Sequence, residues 1–180
     1  MGIATRDSLR DWLRAPGSLS RRLARLGERF EVQLLRQGVA PLRALERQAL
    51  GLPPRGLTVV REVILRVDGV PCVWARSAVH QRATTGPWRA LKGLGARPLA
   101  HLLYDDHRIS RSELQPRRLS RHGHTRRHAA RQWELATGAA VSPQMLWSRN
   151  SVFSRSGTQL RVMELFAPGL AGQRSGWRGR

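Results

Sequence analysis

An Asp-Gly pair set between two long apolar runs does most to limit what this chain can fold into. The runs cover residues 57–67 and 70–80, and Asp68-Gly69 joins them. Asp-Gly between alternating apolar segments predicts a β-hairpin. A two-residue turn sets Val67 opposite Val70, Leu65 opposite Cys72, Val63 opposite Trp74 and Arg61 opposite Arg76. Side chains alternate between the faces of a strand, so these eight residues share one face. That face reads as core, yet two arginines stand opposed at its open end. Opposed like charges repel, and burying them is worse. An anion between them relieves both problems. The pattern predicts a site for a carboxylated ligand, with Arg61 and Arg76 able to take one carboxylate or two.

The remaining chain divides into short elements. Residues 5–14 read as a helix with Leu9, Trp12 and Leu13 on one side, ended by Pro16-Gly17. A second short helix runs through Leu19, Leu23 and Leu26. Phe30 to Gln37 alternates as a strand, and Pro41 to Leu50 is helical by composition. Short helices are expected at Trp88 to Leu94 and from Pro98 onward. Arg108 to Leu114 has modest strand character, and two strands, 146–154 and 160–167, flank Ser156-Gly157. Helices lie early and hairpins dominate later, which predicts an α+β domain built on a single antiparallel sheet with flanking helices. The domain is expected over residues 1–170, with a disordered, glycine- and arginine-rich tail at 171–180.

A net charge of +20 invites a nucleic-acid reading. Yet every basic residue but Lys92 is arginine, and they are dispersed from Arg6 to Arg180. Dispersed arginine does not by itself mark a specific nucleic-acid site. It does favour steering of anionic substrates. No run is long and apolar enough for a membrane span, and the first residues lack a signal-peptide core, so a cytoplasmic setting is expected. The lone Cys72 excludes an internal disulfide framework and reads as a small buried hydrophobe.

Glu164 is the second unusual residue. Leu160, Val162, Glu164 and Phe166 fall on one face of the last strand, so the carboxyl is expected to be partly buried. Two readings stand side by side: a ligand-facing acid, or a structural Arg–Glu pair across the sheet. Glu62 falls on the opposite face from Arg61 and is expected to pair with Arg66 or a surface group. His122, His124 and His128 lie in an arginine-rich stretch without a zinc spacing, so no metal site is expected and a solvated basic segment is the expectation.

The ordered landmarks of residues 10–170 resemble the chorismate pyruvate-lyase family of ubiquinone biosynthesis. They are Asp11-Trp12-Leu13, Leu19 ahead of a basic helix, and Arg61-Glu62-Val63-Ile64-Leu65 with Asp68-Gly69 and Pro71. Ala75-Arg76-Ser77, Leu94-Gly95 with Arg97-Pro98-Leu99, and Glu164-Leu165-Phe166-Ala167-Pro168 complete them. The resemblance implies a carbon–oxygen lyase that converts chorismate to 4-hydroxybenzoate and pyruvate with no metal or organic cofactor. It implies that Arg61 grips the ring carboxylate, helped by the backbone N–H groups of Leu19 and Leu99. It further implies that Glu164 contacts the ring hydroxyl and that Arg76 takes the enolpyruvyl carboxylate. A monomer with chorismate as its small-molecule partner is expected. The stretch 117–142 is longer and more basic than in compact relatives and reads as a surface insertion. The alternative is a non-enzymatic binding domain for a small aromatic carboxylate, of the kind found in bacterial regulators.

Overall fold

The computed structural model describes residues 6–41, 43–53 and 55–172. The expected tail at 171–180 lies outside them, apart from its first two residues, which end a short 3-10 turn at Pro168–Gly172. The order is α1 (Arg6–Arg14), α2 (Leu19–Leu23), β1 (Phe30–Pro41), α3 (Ala44–Leu50), β2 (Leu57–Val67) and β3 (Val70–His80). Two 3-10 turns follow, Gln81–Thr85 and Arg89–Gly93, and then α4 (Leu99–Tyr104), β4 (Ser110–Arg111) and β5 (Gln115–Arg118). The chain continues through α5 (His124–Thr137), β6 (Trp147–Arg155) and β7 (Thr158–Phe166). The strands form one open sheet in the order β1-β2-β3-β7-β6-β4, with β5 also on β6, and the paired strands are antiparallel. This is the α+β architecture expected from the hairpin pattern.

Both central hairpins turn on residues with positive φ. Asp68 (φ 49) and Gly69 (φ 78) join β2 to β3, and Ser156 (φ 48) and Gly157 (φ 72) join β6 to β7. Two successive left-handed residues match the right-handed twist of the flanking strands. The Asp68 carboxylate also accepts a 2.7 Å hydrogen bond from the Arg29 N–H, which ties the entry of β1 to the turn.

The pairing of β2 with β3 corrects the sequence expectation. Val67 does face Val70, but Arg66 faces Pro71 and Leu65 faces Val73, leaving Cys72 as a bulge. Arg61 therefore faces Ser77, and Arg76 faces Glu62. Pro71 has no N–H to give the ladder, and prolines inside sheets sit at edges or bulges. One inserted residue moves every later side chain of β3 to the other face. The shared two-arginine face therefore does not form.

Each face of the sheet is covered. On the front, Trp12, Leu13, Leu19 and Leu23 from α1 and α2 pack on Val63, Leu65, Val73 and Phe166. Further along the same face, Trp88, Leu91, Leu94 and Leu103 pack on Val59, Val79, Leu160 and Val162. On the back, Ala129 and Trp133 of α5, with Leu119 and Met145, pack on Ile64, Trp74, Met163 and Leu165. The stretch 117–142 is thus not a surface insertion, because it supplies the cover of the back face. Its alanines and Trp133 recur at helical spacing, a signal masked by the arginines around them.

Gly69→Val tests the turn. A β-branched residue at a left-handed position costs about 1–2 kcal/mol. Urea unfolding should show a lower midpoint with an unchanged m-value.

Candidate active site

A small cavity of about 40 Å³ lies on the front face between the two groups of covering helices. Val32, Arg61, Val63, Leu65, Ala75, Ser77, Val162 and Glu164 line it from the sheet, and Ser20 and Leu99 from α2 and α4. Strand alternation explains the convergence. Val63 pairs with Ala75 and Ala75 with Glu164, while Arg61 pairs with Ser77 and Ser77 with Val162. Two rows of residues from three neighbouring strands therefore project the same way.

Arg61 is the electrostatic centre of the cavity. Its residue is 3% exposed. Its Nε donates to the Gly95 carbonyl at 3.0 Å and its Nη2 to the Arg97 carbonyl at 2.8 Å. No carboxylate among the described residues lies within ion-pair distance of it. Burial without a counter-charge pushes its pKa down to about 10. A buried cation held only by carbonyls is costly and is stabilised by an incoming anion. The loop that supplies the carbonyls leads directly into α4, where Pro98 precedes the first residue, Leu99. Leu99 lines the cavity, and it lies in the first turn of α4, where N–H groups lack intrahelical acceptors.

Glu164 lines the same cavity, with its side chain 14% exposed. Its carboxylate accepts a hydrogen bond from Arg149 Nε of β6, the residue directly across the ladder. Leu19 is buried in the α1–α2 packing; its neighbour Ser20, and not Leu19 itself, lines the cavity. Ser18 caps α2 by accepting from the Arg21 N–H at 3.2 Å.

Arg76 is on the back face, away from this cavity. Its guanidinium is held by Glu46, at 2.5 Å and 3.1 Å, and by Glu62. His128 of α5 completes the cluster with Nε2 2.8 Å from the Glu62 carboxylate, and its ring stands edge-on to Trp74. Burial lowers the stability of the Arg76 charge, but the two carboxylates outweigh it and raise its pKa. For Glu62, burial favours the neutral acid, and the contacts with His128 and Arg76 outweigh it and lower its pKa. Glu62 is thus neither a surface group nor a partner of Arg66, and His128 is not solvated. Arg66 instead donates to the Gln33 side chain at 2.9 Å. Among the described residues no group of three His, Cys, Asp or Glu is placed to hold a metal ion.

The chorismate lyase family model matches residues 3–174. The chain belongs to that family. A relative from Albidiferax ferrireducens described as a "probable chorismate pyruvate-lyase" is 47% identical over 162 residues, 90% of this chain and 82% of its own length. One from Azoarcus sp., with the same description, is 41% identical over 165 residues, covering 91% of this chain and 86% of itself. Among solved structures, the C-terminal domain of PhnF aligns with a TM-score of 0.56 at 16% identity, over 84% of this chain and 87% of that one. The C-terminal domain of the histidine utilization repressor from Pseudomonas syringae pv. tomato aligns with a TM-score of 0.54 at 8% identity, over 84% and 98%. These likenesses show a shared fold.

Within this chorismate lyase family member, Arg149 and the Arg76–Glu46–Glu62–His128 cluster are what sequence reasoning missed. Arg149 was within reach. A two-residue turn at Ser156-Gly157 sets position 149 opposite 164 by counting back along the two strands. Glu46 and His128 carry no such signal, since they reach the sheet from separate helices.

Glu62→Gln tests the back-face cluster. Breaking a buried ion pair by removing one partner costs about 3–5 kcal/mol at neutral pH. Because the folded state lowers the Glu62 pKa, its stabilisation is present above the unfolded value of roughly 4.3 and is lost as pH falls through the folded one. The stability gap between wild type and variant should therefore be full at pH 7 and shrink below about pH 4. Equal gaps at pH 7 and pH 3 in urea unfolding would exclude that contribution.

Proposed function

We propose that this protein converts chorismate to 4-hydroxybenzoate and pyruvate. The observation that carries the reading is the buried Arg61 guanidinium, with no carboxylate partner, sharing a mostly apolar cavity with Glu164. Membership of the chorismate lyase family supports it. The same reading places the protein in the cytoplasm, in keeping with its single, buried, unpaired cysteine.

In this reading Arg61 binds the ring carboxylate, and the backbone N–H group of Leu99 adds a hydrogen bond. Val32, Val63, Leu65 and Val162 pack against the ring. Glu164 meets the ring hydroxyl at the far end. The enolpyruvyl ether C–O bond breaks, and the proton on the adjacent hydroxyl-bearing ring carbon leaves. The ring becomes aromatic, and the proton ends on the former methylene carbon of the enolpyruvyl group, giving pyruvate. Aromatisation supplies the driving force, so the protein contributes orientation and fixed charges. Arg76, committed to Glu46 and Glu62 on the back face, takes no part in this scheme.

A cavity of about 40 Å³ is far below an ordinary ligand pocket of roughly 300 Å³ or more. In this reading α2 and α4 withdraw from the sheet to admit the ligand. Closure then shields the reacting ring from water.

Purified protein mixed with chorismate alone should yield equimolar 4-hydroxybenzoate and pyruvate above the spontaneous rate. Arg61→Met should weaken 4-hydroxybenzoate binding by 10-fold or more, because an ionic hydrogen bond contributes about 1.5–3 kcal/mol. Tight 4-hydroxybenzoate binding without conversion would favour a sensor domain, a role compatible with the shared fold. Neither binding nor conversion by the folded protein would reject both.

A further inference from the structure

Arg149 is among the most buried side chains in the described protein, at 1% exposure. It spends its donors in two directions. Nε donates to the Glu164 carboxylate. Nη1 donates to the carbonyls of Trp12 at 3.2 Å and Ala15 at 3.0 Å, at the end of α1. The guanidinium carbon stands 5.8 Å from the centre of the Phe166 ring, which packs beside it. Among the described residues Arg149 is the group that hydrogen-bonds the Glu164 side chain, and that side chain lines the cavity.

A guanidinium is planar, and the directions of its N–H bonds are fixed relative to one another. Anchoring one edge on two main-chain carbonyls therefore aims the other edge. The carbonyls are themselves well fixed, since Trp12 and Leu13 are buried against Val63, Leu65 and Phe166. Cations are favoured at helix carboxyl ends, where carbonyls lack partners. Arg22 donates to the next carbonyl, Pro16, and Tyr104 Oη and Arg111 donate to the Gly17 carbonyl. The turn between α1 and α2 is thus clamped along its length by side chains, and Arg149 is the member that also reaches the cavity.

We propose that Arg149 is a positioning residue that sets the place of the Glu164 carboxylate by bracing it against the carboxyl end of α1. The inference rests on the reading of Glu164 as the contact for the ring hydroxyl. One carboxylate oxygen is engaged by Arg149 Nε, and the residue lines the cavity. The same brace ties Glu164 to the α1–α2 turn that precedes the cavity-lining Ser20. A purely structural staple would need the carbonyl contacts alone; the contact with a cavity-lining carboxylate is what it leaves unexplained.

The test compares dissociation constants for 4-hydroxybenzoate and benzoate, which differ by the hydroxyl, across wild type, Arg149→Lys, Arg149→Met and Glu164→Gln. Lysine keeps the charge and most of the stem but cannot span both directions, so it also serves if the methionine variant does not fold. The preference for 4-hydroxybenzoate should fall about 10-fold in Arg149→Met, the low end for a hydrogen bond to a charged group, and by less in Arg149→Lys. Benzoate binding should change little in either. In the Arg149→Lys, Glu164→Gln double variant the preference should match that of Glu164→Gln alone, since both act through one contact. If Arg149→Lys and any folded Arg149→Met weaken the two ligands in proportion, or leave both unchanged, the residue is a staple and the proposal is overturned. If Glu164→Gln itself leaves the preference unchanged, the reading of Glu164 fails first, and that outcome is distinct from a failure at Arg149 alone.

Discussion

A single bulged residue, Cys72, sorts the charges of this protein onto two sides of a sheet. With it, Arg61 projects forward with Ser77, and Arg76 projects backward with Glu62. Without it, two guanidinium groups would stand opposed on one buried face, a costly arrangement in a low-dielectric setting. The bulge leaves Arg61 as a lone cation in the front cavity and delivers Arg76 to two carboxylates behind. The front is thus electrostatically incomplete and suited to an anionic ligand, while on the back Arg76 is paired with two carboxylates.

Arginine excess shapes the rest of the architecture. With 32 basic residues against 12 acidic ones, most guanidinium groups cannot find a carboxylate. Several bind main-chain carbonyls, Arg61 and Arg126 with no carboxylate beside them, Arg149 and Arg155 in addition to Glu164 and Asp106. Arg61 holds Gly95 and Arg97, Arg126 holds Met145 and Ser142, Arg149 holds Trp12 and Ala15, and Arg155 holds Pro87. Arg61, Arg149 and Arg155 thereby fasten covering segments to the sheet, and Arg126 fastens the loop before β6 to α5. Carbonyl contacts of this kind satisfy hydrogen bonds but not charge. The front cavity therefore stays attractive to anions even though its donors are well placed.

The covering helices and the site depend on one another. Leu99 opens α4 immediately after the loop that grips Arg61, and the end of α1 is gripped by the arginine that holds Glu164. Each polar end of the cavity is thereby tied to one of the two covers.

Local patterning in the sequence determined the elements themselves. Asp68-Gly69 and Ser156-Gly157 set both central turns through positive φ, and the alternation of Leu160, Val162, Glu164 and Phe166 put a carboxylate on a core-facing row. The family resemblance, carried by ordered motifs from Asp11 to Pro168, was legible in the same way. What the tertiary structure alone decided was which charges meet. The ladder could have absorbed the irregularity at Pro71 in more than one way, and only the observed register shows Arg76 leaving the front face. Glu46 and His128 come to Arg76 and Glu62 from helices distant in sequence. Their pairing follows from how α3 and α5 lie on the sheet, a matter of long-range packing that no local period encodes.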